Sequence, residues 1–369
     1  MDIGDRRPER EELAWLALAL LRGVAPGRAL ALSRELGGAA AVLRAAPTTL
    51  SAHGLRASAI AEVAGARARA ESELLAIARA GARLVAWDAP DYPERLRGIA
   101  DPPLALVVQG SLVADEPAVA VVGARRASVY GTRLAGELAT GLAHAGIAVV
   151  SGLAAGIDAA AHRAALAAGG RTVAVLGTGI DVVYPSWHRE LAAQVARGGA
   201  LVSEFACGTP GLQLHFPRRN RIISGMTLGT IVVEAAERSG SLITARLALE
   251  QGREVFAVPG PVGPALHRGP HRLVQQGAKL VTCVEDVLDE IAPALVKRVA
   301  VARAAAAEAA LATTERRVLA AMGDGAAHVD QVIGGCGLTA AEALETLLAL
   351  EIRGLVEQMP GKRFRRRAA

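Results

Sequence analysis

The chain has 369 residues, 52% of them hydrophobic, which is enough for two or three domains with a large core. Only 3% are aromatic, so any stacking surface for nucleobases must be built from very few rings. The three cysteines are far apart, and no apolar run reaches the ~20 residues that span a bilayer, so we expect a soluble cytoplasmic protein without disulfide bonds.

The net charge of +5 is concentrated at the C-terminal end. Residues 353–369 contain six basic residues and one acidic residue, which accounts for the whole net charge. Basic tails of this kind often bind nucleic acid, and a solvated tail without a partner is the alternative. Any basic patch elsewhere must come from arginines that cluster in space.

The N-terminal segment, residues 11–80, has no strand pattern and predicts several short helices rich in Ala and Leu. Residues 20–27 predict a Gly/Pro turn between two of them. This turn is similar to that of a helix-hairpin-helix, in which glycine N–H groups meet a DNA phosphate, but Ala25 stands where a second glycine is usual. An ordinary turn in a small helical domain is the alternative.

The central part of the chain predicts a mostly parallel, Rossmann-like sheet covered by helices on both faces. Its apolar runs are nearly continuous, as in strands that are buried on both sides. A further short strand is expected at residues 84–87. The central runs are residues 118–122, 147–150, 173–176, 231–233 and 255–258.

The carboxyl ends of these strands should form an edge that favours anions. The free N–H groups of the helices that follow parallel strands point to that edge. Arg125 lies there, and Ser128 is placed to cap a helix that runs to about His144. Three arginines and an asparagine at 218–221 open another helix, and they cannot all belong to the core. Positive charge at a helix N-terminus is unfavourable unless an anion is bound, so this helix start gives the strongest argument for a site.

The C-terminal part predicts a winged helix after a partly helical linker at 293–312. Three short helices are followed by two strands, and the third helix of such a domain usually enters the DNA major groove. That helix, from Thr339, is expected to bury a stripe of four residues, and it also carries three acidic residues that phosphates would repel. Contact with protein and contact with DNA therefore remain equal alternatives. The four apolar residues are Leu344, Leu347, Leu348 and Ile352, and the three acidic ones are Glu342, Glu345 and Glu351.

Motifs for bound cofactors are absent from the sequence. There is no Walker-type phosphate loop, and Gly152 and Gly156 are four residues apart, which is not the dinucleotide fingerprint. His267 and His271 are one helical turn apart without a third ligand nearby in sequence. We therefore expect no cofactor and no metal.

Two carboxylate arrangements could suggest catalysis. Asp158 and His162 are one helical turn apart and could form an acid–base pair. The alternative, which we favour, is that Asp158 caps its helix and His162 is a hydrogen-bonded residue near the pocket. Glu204 and Glu234 follow strands, and we expect them to pair with the arginines near the predicted site.

Eight motifs in order resemble the DprA/Smf family of bacterial DNA-processing proteins, and the resemblance covers nearly the whole chain. Each motif alone is weak, but the ordered set is specific. The motifs are Tyr92-Pro93 with Leu96, Ile99 and Asp101-Pro102-Pro103; Val121-Val122-Gly123-Ala124-Arg125 with Ser128 and Tyr130-Gly131; Ser151-Gly152-Leu153-Ala154 with Gly156-Ile157-Asp158 and His162; Gly177-Thr178-Gly179 with Tyr184-Pro185; Ser203-Glu204; Phe216-Pro217 with Arg219-Asn220-Arg221-Ile222-Ile223-Ser224-Gly225; Ser239-Gly240-Ser241 with Thr244; and Val258-Pro259-Gly260.

The resemblance implies an α/β protein with a sterile-alpha-motif-like helical domain at 1–82 and an extended Rossmann-like core at 83–292. A linker at 293–312 and a winged helix with a basic tail at 313–369 complete it. It also implies that the protein binds and protects single-stranded DNA during natural transformation and loads a RecA-type recombinase onto it. A homodimer through the core and no catalytic activity are expected.

Thirteen residues are expected to bind DNA, with Phe216 and Tyr130 as the rings for stacking. They are Arg125, Ser128, Tyr130, Ser151, Gly152, Arg189, Phe216, Arg218, Arg219, Asn220, Arg221, Ser241 and Thr244. The sequence departs from the family pattern at three positions. Ala155 stands where an arginine is usual, Arg218 adds a charge at a variable position, and His271 replaces a usual asparagine.

Two other functions are weighed against this one. Nucleotide-processing hydrolases of the phosphoribohydrolase type share the Rossmann-like fold, but their Pro-Gly-Gly-x-Gly-Thr-x-x-Glu motif is missing from residues 226–234. A transcription factor that acts through the winged helix is disfavoured by the acidic third helix.

Overall fold

The structure is a computed structural model that describes residues 7–291, 312–323, 325–352 and 355–366. The chain divides into two compact units, Met1–Pro293 and Ala294–Ala369, and each is described by itself. Of the linker predicted at 293–312, only Ala312 falls within the described residues.

The first unit begins with five helices and no strand, as the sequence predicts. The last of them has 23 residues, which is longer than the short helices expected. Pro26, which belongs to the predicted turn, is the first residue of the second helix, where its missing N–H costs nothing. The helices are α1 (Arg7–Ala19), α2 (Pro26–Leu36), α3 (Ala39–Arg44), α4 (Pro47–Ala52) and α5 (Ala57–Arg79).

Strands and helices then alternate through the rest of the first unit. All five predicted central strands are present, together with the predicted strand near residue 85. The remaining elements of the first unit are β1 (Arg83–Ala86), α6 (Glu94–Arg97), β2 (Ala105–Gly110), β3 (Ala118–Val122), α7 (Val129–His144), β4 (Ala148–Ser151), α8 (Ile157–Ala167), β5 (Thr172–Val175), a 3₁₀ turn (Ser186–His188), α9 (Arg189–Gly198), β6 (Gly199–Ser203), α10 (His215–Gly225), β7 (Gly229–Val232), α11 (Gly240–Glu250), β8 (Glu254–Ala257), α12 (Ala265–Gln275), β9 (Lys279–Leu280) and α13 (Val284–Ile291).

The nine strands form one sheet in the order β1-β2-β6-β5-β4-β3-β7-β8-β9. The pairs β1–β2 and β2–β6 are antiparallel, and all the others are parallel. The chain runs outward from β3 through β4 and β5 to β6 and then returns to place β7 on the other side of β3. Val119 therefore pairs with Val149 on one side and with Gly229 on the other. In open α/β sheets, ligands bind at the carboxyl edge beside such a reversal of strand order.

Alternation of side chains along the strands builds two core layers. Val173 and Val175 pack into the layer on one face of the sheet, and Ala174 packs into the layer on the other. All five residues of β3 are buried, as expected for a central strand with both faces covered.

The second unit is a winged helix, as predicted. Thr339 and Glu342 cap the third helix reciprocally, through Thr339 N–H to Glu342 Oε2 at 2.9 Å and Glu342 N–H to Thr339 Oγ1 at 3.3 Å. Its strands form a three-stranded sheet in the order β10-β12-β11. The elements are α14 (Thr313–Met322), β10 (Ala327–His328), α15 (Val329–Cys336), α16 (Ala340–Ile352), β11 (Val356–Met359) and β12 (Arg363–Arg366).

The predicted buried stripe of α16 is partly wrong. Leu347 is buried, but Leu344 and Leu348 are 49% and 57% exposed, and the side chain of Ile352 lies outside the described part of the chain. The stripe that faces the core is Ala343, Leu347 and Leu350, which are spaced by four and three residues and so lie on one side of the helix. An alanine inside the stripe and two leucines beside it made the sequence pattern ambiguous.

Within the described parts of the chain, no single helix is both long and apolar enough to cross a membrane. One bent pair, Val329–Cys336 with Ala340–Glu351, meets the criteria of length and composition jointly. The same residues contain no cluster of three or more His, Cys, Asp or Glu side chains that could hold a metal ion.

Candidate functional site

A cavity of about 550 Å³ opens at the carboxyl edge of the sheet, beside the reversal of strand order at β3. Its walls come from the loops after β3 and β4 and from the first turns of α10 and α11. Six of the thirteen predicted residues line it, namely Arg125, Phe216, Arg219, Asn220, Ser241 and Thr244. The location follows from the sheet topology, because residues after different parallel strands meet only at this edge.

Arg125 is the exposed cation of this cavity. It lies in the loop between β3 and α7, and its guanidinium is 5.1 Å from the centre of the Phe216 ring. Among the described residues it makes this cation–π contact and no ion pair. A guanidinium that lies over a ring and is open to solvent can bind a phosphate without first breaking a salt bridge.

The Phe216 ring is fixed by its neighbours. A Cβ atom at Gly177 would lie 2.8 Å from Phe216 Cδ1, so the ring packs directly on the backbone of that turn. The ring of Tyr184 is 5.4 Å away on another side. Phe216 therefore presents an apolar surface, packed against these neighbours, beside the exposed charge of Arg125.

Arg219 faces the interior of the protein. Its guanidinium is 4% exposed and donates to the carbonyl oxygens of Gly152 (2.9 Å) and Val175. Burial lowers the pKa of Arg219 to about 10, an effect that Asp158 opposes and Arg125 reinforces, so the side chain stays charged at neutral pH. The guanidinium of Arg219 is thus hydrogen-bonded to buried backbone carbonyls, whereas a bound anion was expected at this helix start.

Asp158 stabilises the loop after β4 and does not cap its own helix. Its Oδ2 atom accepts from the N–H groups of Gly152 (3.1 Å) and Ala154 (3.3 Å). Burial raises its pKa, against the opposing effects of Arg219 and of these hydrogen bonds. The N–H groups that were predicted to be free for an anion at this loop are therefore already occupied.

Ser151 and His162 are likewise engaged inside the protein. Ser151 is fully buried and donates its hydroxyl to the carbonyl of Val121 at 2.6 Å. His162 is fully buried and contacts Thr172 Oγ1 at 2.7 Å. Because Thr172 donates to the carbonyl of Val149, its oxygen accepts from His162 Nδ1, and the favoured interpretation of a hydrogen-bonded histidine is correct.

The other two arginines of α10 face away from the cavity, toward Glu204. Arg221 Nη2 lies 2.7 Å from Glu204 Oε2, and Arg221 Nε lies 3.1 Å from Asp101 Oδ2. Burial is the largest influence on Arg221 and lowers its pKa, but Glu204 and Asp101 together outweigh it and the net pKa is raised. Arg218 is more exposed and also reaches Glu204, at 3.3 Å. The predicted pairing of Glu204 with arginines is confirmed.

The start of α11 contributes hydroxyl groups to the cavity. Ser239 caps the helix, and its Oγ lies 2.7 Å from that of Ser241. Thr244 lies one turn further along and is 1% exposed. Asn220 is held by its neighbours, since its amide donates to the carbonyl of Gly240 (3.3 Å) and accepts from Arg219 Nε (3.2 Å).

Ser128 caps α7 as predicted, and it also holds Glu234. Its Oγ accepts from Gly131 N–H at 3.0 Å and donates to Glu234 Oε1 at 2.5 Å. The Ser128 N–H donates to the other carboxylate oxygen at 2.9 Å. Glu234 was expected to pair with an arginine, and that prediction is wrong: the fully buried carboxylate accepts from Ser128 near the N-terminus of α7, and His267 Nε2 lies 4.0 Å from its Oε1 atom.

Seven of the thirteen predicted residues do not line the cavity, and Tyr130 and Arg189 are the two of them not yet described. The other five are Ser128, Ser151, Gly152, Arg218 and Arg221. Tyr130 donates its hydroxyl to the carbonyl of Pro259 at 2.9 Å and packs edge-on against His267. Arg189 is exposed at the first position of α9. Neither is among the residues that line the cavity.

Two parts of this site were not predicted from the sequence: the loop between β6 and α10, and the ring of Tyr184. Gly211 and Gln213 from this loop line the cavity, and a Cβ atom at Gly211 would touch Tyr184 Cγ at 3.0 Å. Tyr184 was noted as part of a Tyr-Pro motif without a role in the site. The sequence signal that could have identified Tyr184 was an aromatic residue before a proline, in a loop at the carboxyl edge of the predicted sheet.

The comparisons with known proteins match both units. The family model described as DNA recombination-mediator protein A matches residues 83–292, and the DprA winged helix domain matches residues 302–362. Protein Smf of Escherichia coli is 44% identical over 306 residues, which cover 81% of each chain. The DNA processing protein DprA of Streptococcus pneumoniae is 48% identical over 200 residues, which cover 54% of this chain and 71% of that one.

Solved structures agree with these matches. The X-ray structure of DNA processing protein A from Streptococcus pneumoniae aligns with a TM-score of 0.66 at 36% identity, over 76% of this chain and 98% of that one. A structure of DNA processing protein A from Helicobacter pylori, whose description refers to its single-stranded DNA binding mode, aligns with a TM-score of 0.52 at 25% identity, over 57% of this chain and 96% of that one. With these matches and the shared architecture, the chain belongs to the DprA/Smf family of DNA-processing proteins.

Proposed function

We propose that this protein binds single-stranded DNA in the cavity at the carboxyl edge of its sheet and protects incoming strands during natural transformation. The observation that carries the proposal is Arg125, an exposed guanidinium that lies over Phe216 and makes no ion pair among the described residues. Membership of the DprA/Smf family supports it, as does the single-stranded DNA binding of the Helicobacter pylori relative.

The cavity suits a sugar-phosphate backbone better than a particular base sequence. Arg125 offers a phosphate partner, the Ser241 hydroxyl offers a polar contact, and Phe216 offers an apolar surface for a base. The Asn220 amide, which could otherwise read a base edge, is already hydrogen-bonded to Gly240 and Arg219. We therefore expect binding that depends weakly on sequence.

The later steps of the proposed function rest on the family alone. We propose that the protein acts in the cytoplasm as a homodimer formed through the core and passes the strand to a RecA-type recombinase. Its three free cysteines, Cys207, Cys283 and Cys336, are compatible with a reducing compartment. The winged helix carries exposed Glu342 and Glu345 on its third helix, which favours a protein partner over DNA for that helix.

The test compares two neighbouring arginines. Arg125→Ala should weaken binding of a labelled single strand by about 1.5–3 kcal/mol, the range for a hydrogen bond to a charged group. Arg126→Ala is the matched control, because Arg126 is also exposed on the same loop but does not line the cavity. Equal affinities of the two variants for the strand would contradict the assignment of the binding site to the cavity around Arg125.

The hydrolase alternative gains no support from the part of the chain that the structure describes. Its catalytic acid would have to be Glu234, which is fully buried and bonded to Ser128. Glu234 does not line the cavity.

A further inference from the structure

A second, smaller cleft adjoins the cavity and is lined mainly by aromatic and small residues. Its volume is about 150 Å³, and it shares Arg125, Phe216 and Arg219 with the cavity. Its own walls add Trp187 and Ala155. The two spaces are therefore neighbouring parts of one surface around Arg125.

Trp187 is the most exposed aromatic side chain that the structure describes, at 75%. The chain has only four Phe, three Trp and three Tyr, yet Tyr184, Trp187 and Phe216 all line this one cleft. An exposed tryptophan leaves a large apolar surface in water, and here that surface adjoins Arg125, which makes no ion pair among the described residues.

The turn that carries Trp187 is anchored to the loop after β4. His188, the next residue, is 4% exposed and donates from Nδ1 to the carbonyl of Leu153 at 2.9 Å. Leu153 has a positive φ of 58°, which leucine adopts only where its surroundings hold it. The hydrogen bonds from Gly152 and Ala154 to Asp158 fix the loop on both sides of Leu153. Trp187 is thus presented by a constrained part of the backbone.

Two alanines, Ala154 and Ala155, form part of the cleft wall, so the wall there carries nothing larger than a methyl group. Because Ala155 lines the cleft, we expect a longer side chain at residue 155 to occupy part of this space. The cleft can therefore receive a flat apolar group next to a charge.

We propose that one base of the bound strand stacks on Trp187 in this cleft while a neighbouring phosphate lies against Arg125. This subsite rests on the proposed function, because it needs a single strand at the cavity. The base face meets the rings of Trp187 and Tyr184, and the contact does not discriminate between bases, because every base has a π face. The occupant is a nucleobase because the cleft is continuous with the proposed phosphate position and offers rings in place of paired hydrogen-bonding groups.

Intrinsic fluorescence can observe this subsite directly. Trp15 is 4% exposed, and its ring lies 5.5 Å from that of the half-buried Trp87. Trp187 is the one tryptophan with a largely exposed side chain, so strand binding should quench emission through it. A strand of the same length whose central sites are abasic should bind with less quenching.

The experiment measures binding and quenching separately on the full-length protein. Anisotropy of a labelled single strand gives the affinity, and titration with unlabelled strand gives the quenching. We expect Trp187→Leu to abolish most of the quenching and to weaken binding roughly 5- to 100-fold, with the salt dependence of affinity unchanged, because stacking involves no phosphate. Trp187→Phe should retain most of the affinity.

Two further variants separate the cleft from general effects. Ala155→Leu leaves Trp187 in place but fills the cleft, and should reduce both quenching and affinity. Val262→Ala removes another side chain that is 85% exposed, and should change neither. Normal affinity in Trp187→Leu together with unquenched emission in the native protein would overturn the stacking subsite and leave the proposed function intact. Absence of strand binding to the native protein by anisotropy would overturn the proposed function itself.

Discussion

The guanidinium of Arg219 donates to the carbonyl oxygen of Gly152 across 2.9 Å inside the protein, so an arginine of α10 secures the loop after β4. This contact joins two of the elements that form the cavity walls. A Cβ atom at Gly152 would collide with the same guanidinium, so glycine is required for the approach. Arg219 therefore holds the cavity walls together as a buried residue, while Arg125 supplies the exposed charge of the cavity.

Arg219→Met is expected to destabilise the protein. The substitution leaves the carbonyls of Gly152 and Val175 without this donor and removes the positive charge near Asp158. A buried polar group without its partner costs about 1–3 kcal/mol. Urea unfolding should show a loss of this size or more, and a variant within 0.5 kcal/mol of the native protein would contradict the structural role of Arg219.

Two glycines of α7 should respond to alanine with opposite signs. A Cβ atom at Gly131 would collide with the buried carboxylate of Glu234, whereas at Gly136 it would lie 3.7 Å from the Cβ of Ala164, an ordinary contact. Alanine normally stabilises a helix interior by about 1 kcal/mol relative to glycine. We expect Gly136→Ala to raise the thermal midpoint and Gly131→Ala to lower it. A rise in both would show that Glu234 moves without cost.

The pH dependence of stability should reflect His162. Burial lowers the pKa of His162 to about 3 from 6.5. Because its folded-state pKa is depressed, the stability it preserves is fully present above pH 6.5 and is lost as pH falls toward 3. In His162→Gln this loss is absent. The free energy of unfolding of the variant should therefore rise relative to that of the native protein by about 1.4 kcal/mol per pH unit below pH 6.5.

Urea unfolding at pH 7 and pH 5 measures that gain. His53→Gln is the control, since the side chain of His53 is 32% exposed. An unchanged difference in unfolding free energy between His162→Gln and the native protein at the two pH values would show that His162 is protonated without cost.

Removal of each of the two rings predicted for stacking should affect single-strand binding differently. Phe216 lines the cavity, whereas Tyr130 is tied to Pro259 outside it. We expect Phe216→Ala to weaken single-strand binding by about 1–3 kcal/mol and Tyr130→Ala to have little effect. Anisotropy titration of both variants checks this, and the opposite order of effects would relocate the bound strand to the start of α7.

Much of the fold could be predicted because the apolar runs of buried strands and the capping residues of helices are local patterns in the sequence. The apolar run of β3 and the Ser128 cap of α7 are examples, and both are present. The motif order identified the family, which the comparisons confirm.

The inward direction of Arg219 and Arg221 could not be predicted. A run of arginines looks alike in sequence whether its partners are phosphates, buried carbonyls or a carboxylate from another strand. The pairing of Glu204 with arginines was predicted, but the carbonyls of Gly152 and Val175 become partners of Arg219 only through the tertiary fold. The same holds for Glu234, whose donors lie on Ser128, 106 residues away in the chain.

The most direct test of the central claim is a salt series of affinities for single-stranded and duplex oligonucleotides of equal length, with the native protein and Arg125→Ala. The claim predicts tighter single-strand binding, a linear fall of log affinity with log salt, and a slope that decreases by about 0.7 in the variant, as one phosphate contact is lost. Equal or tighter duplex binding, with a slope that Arg125→Ala leaves unchanged, would contradict it.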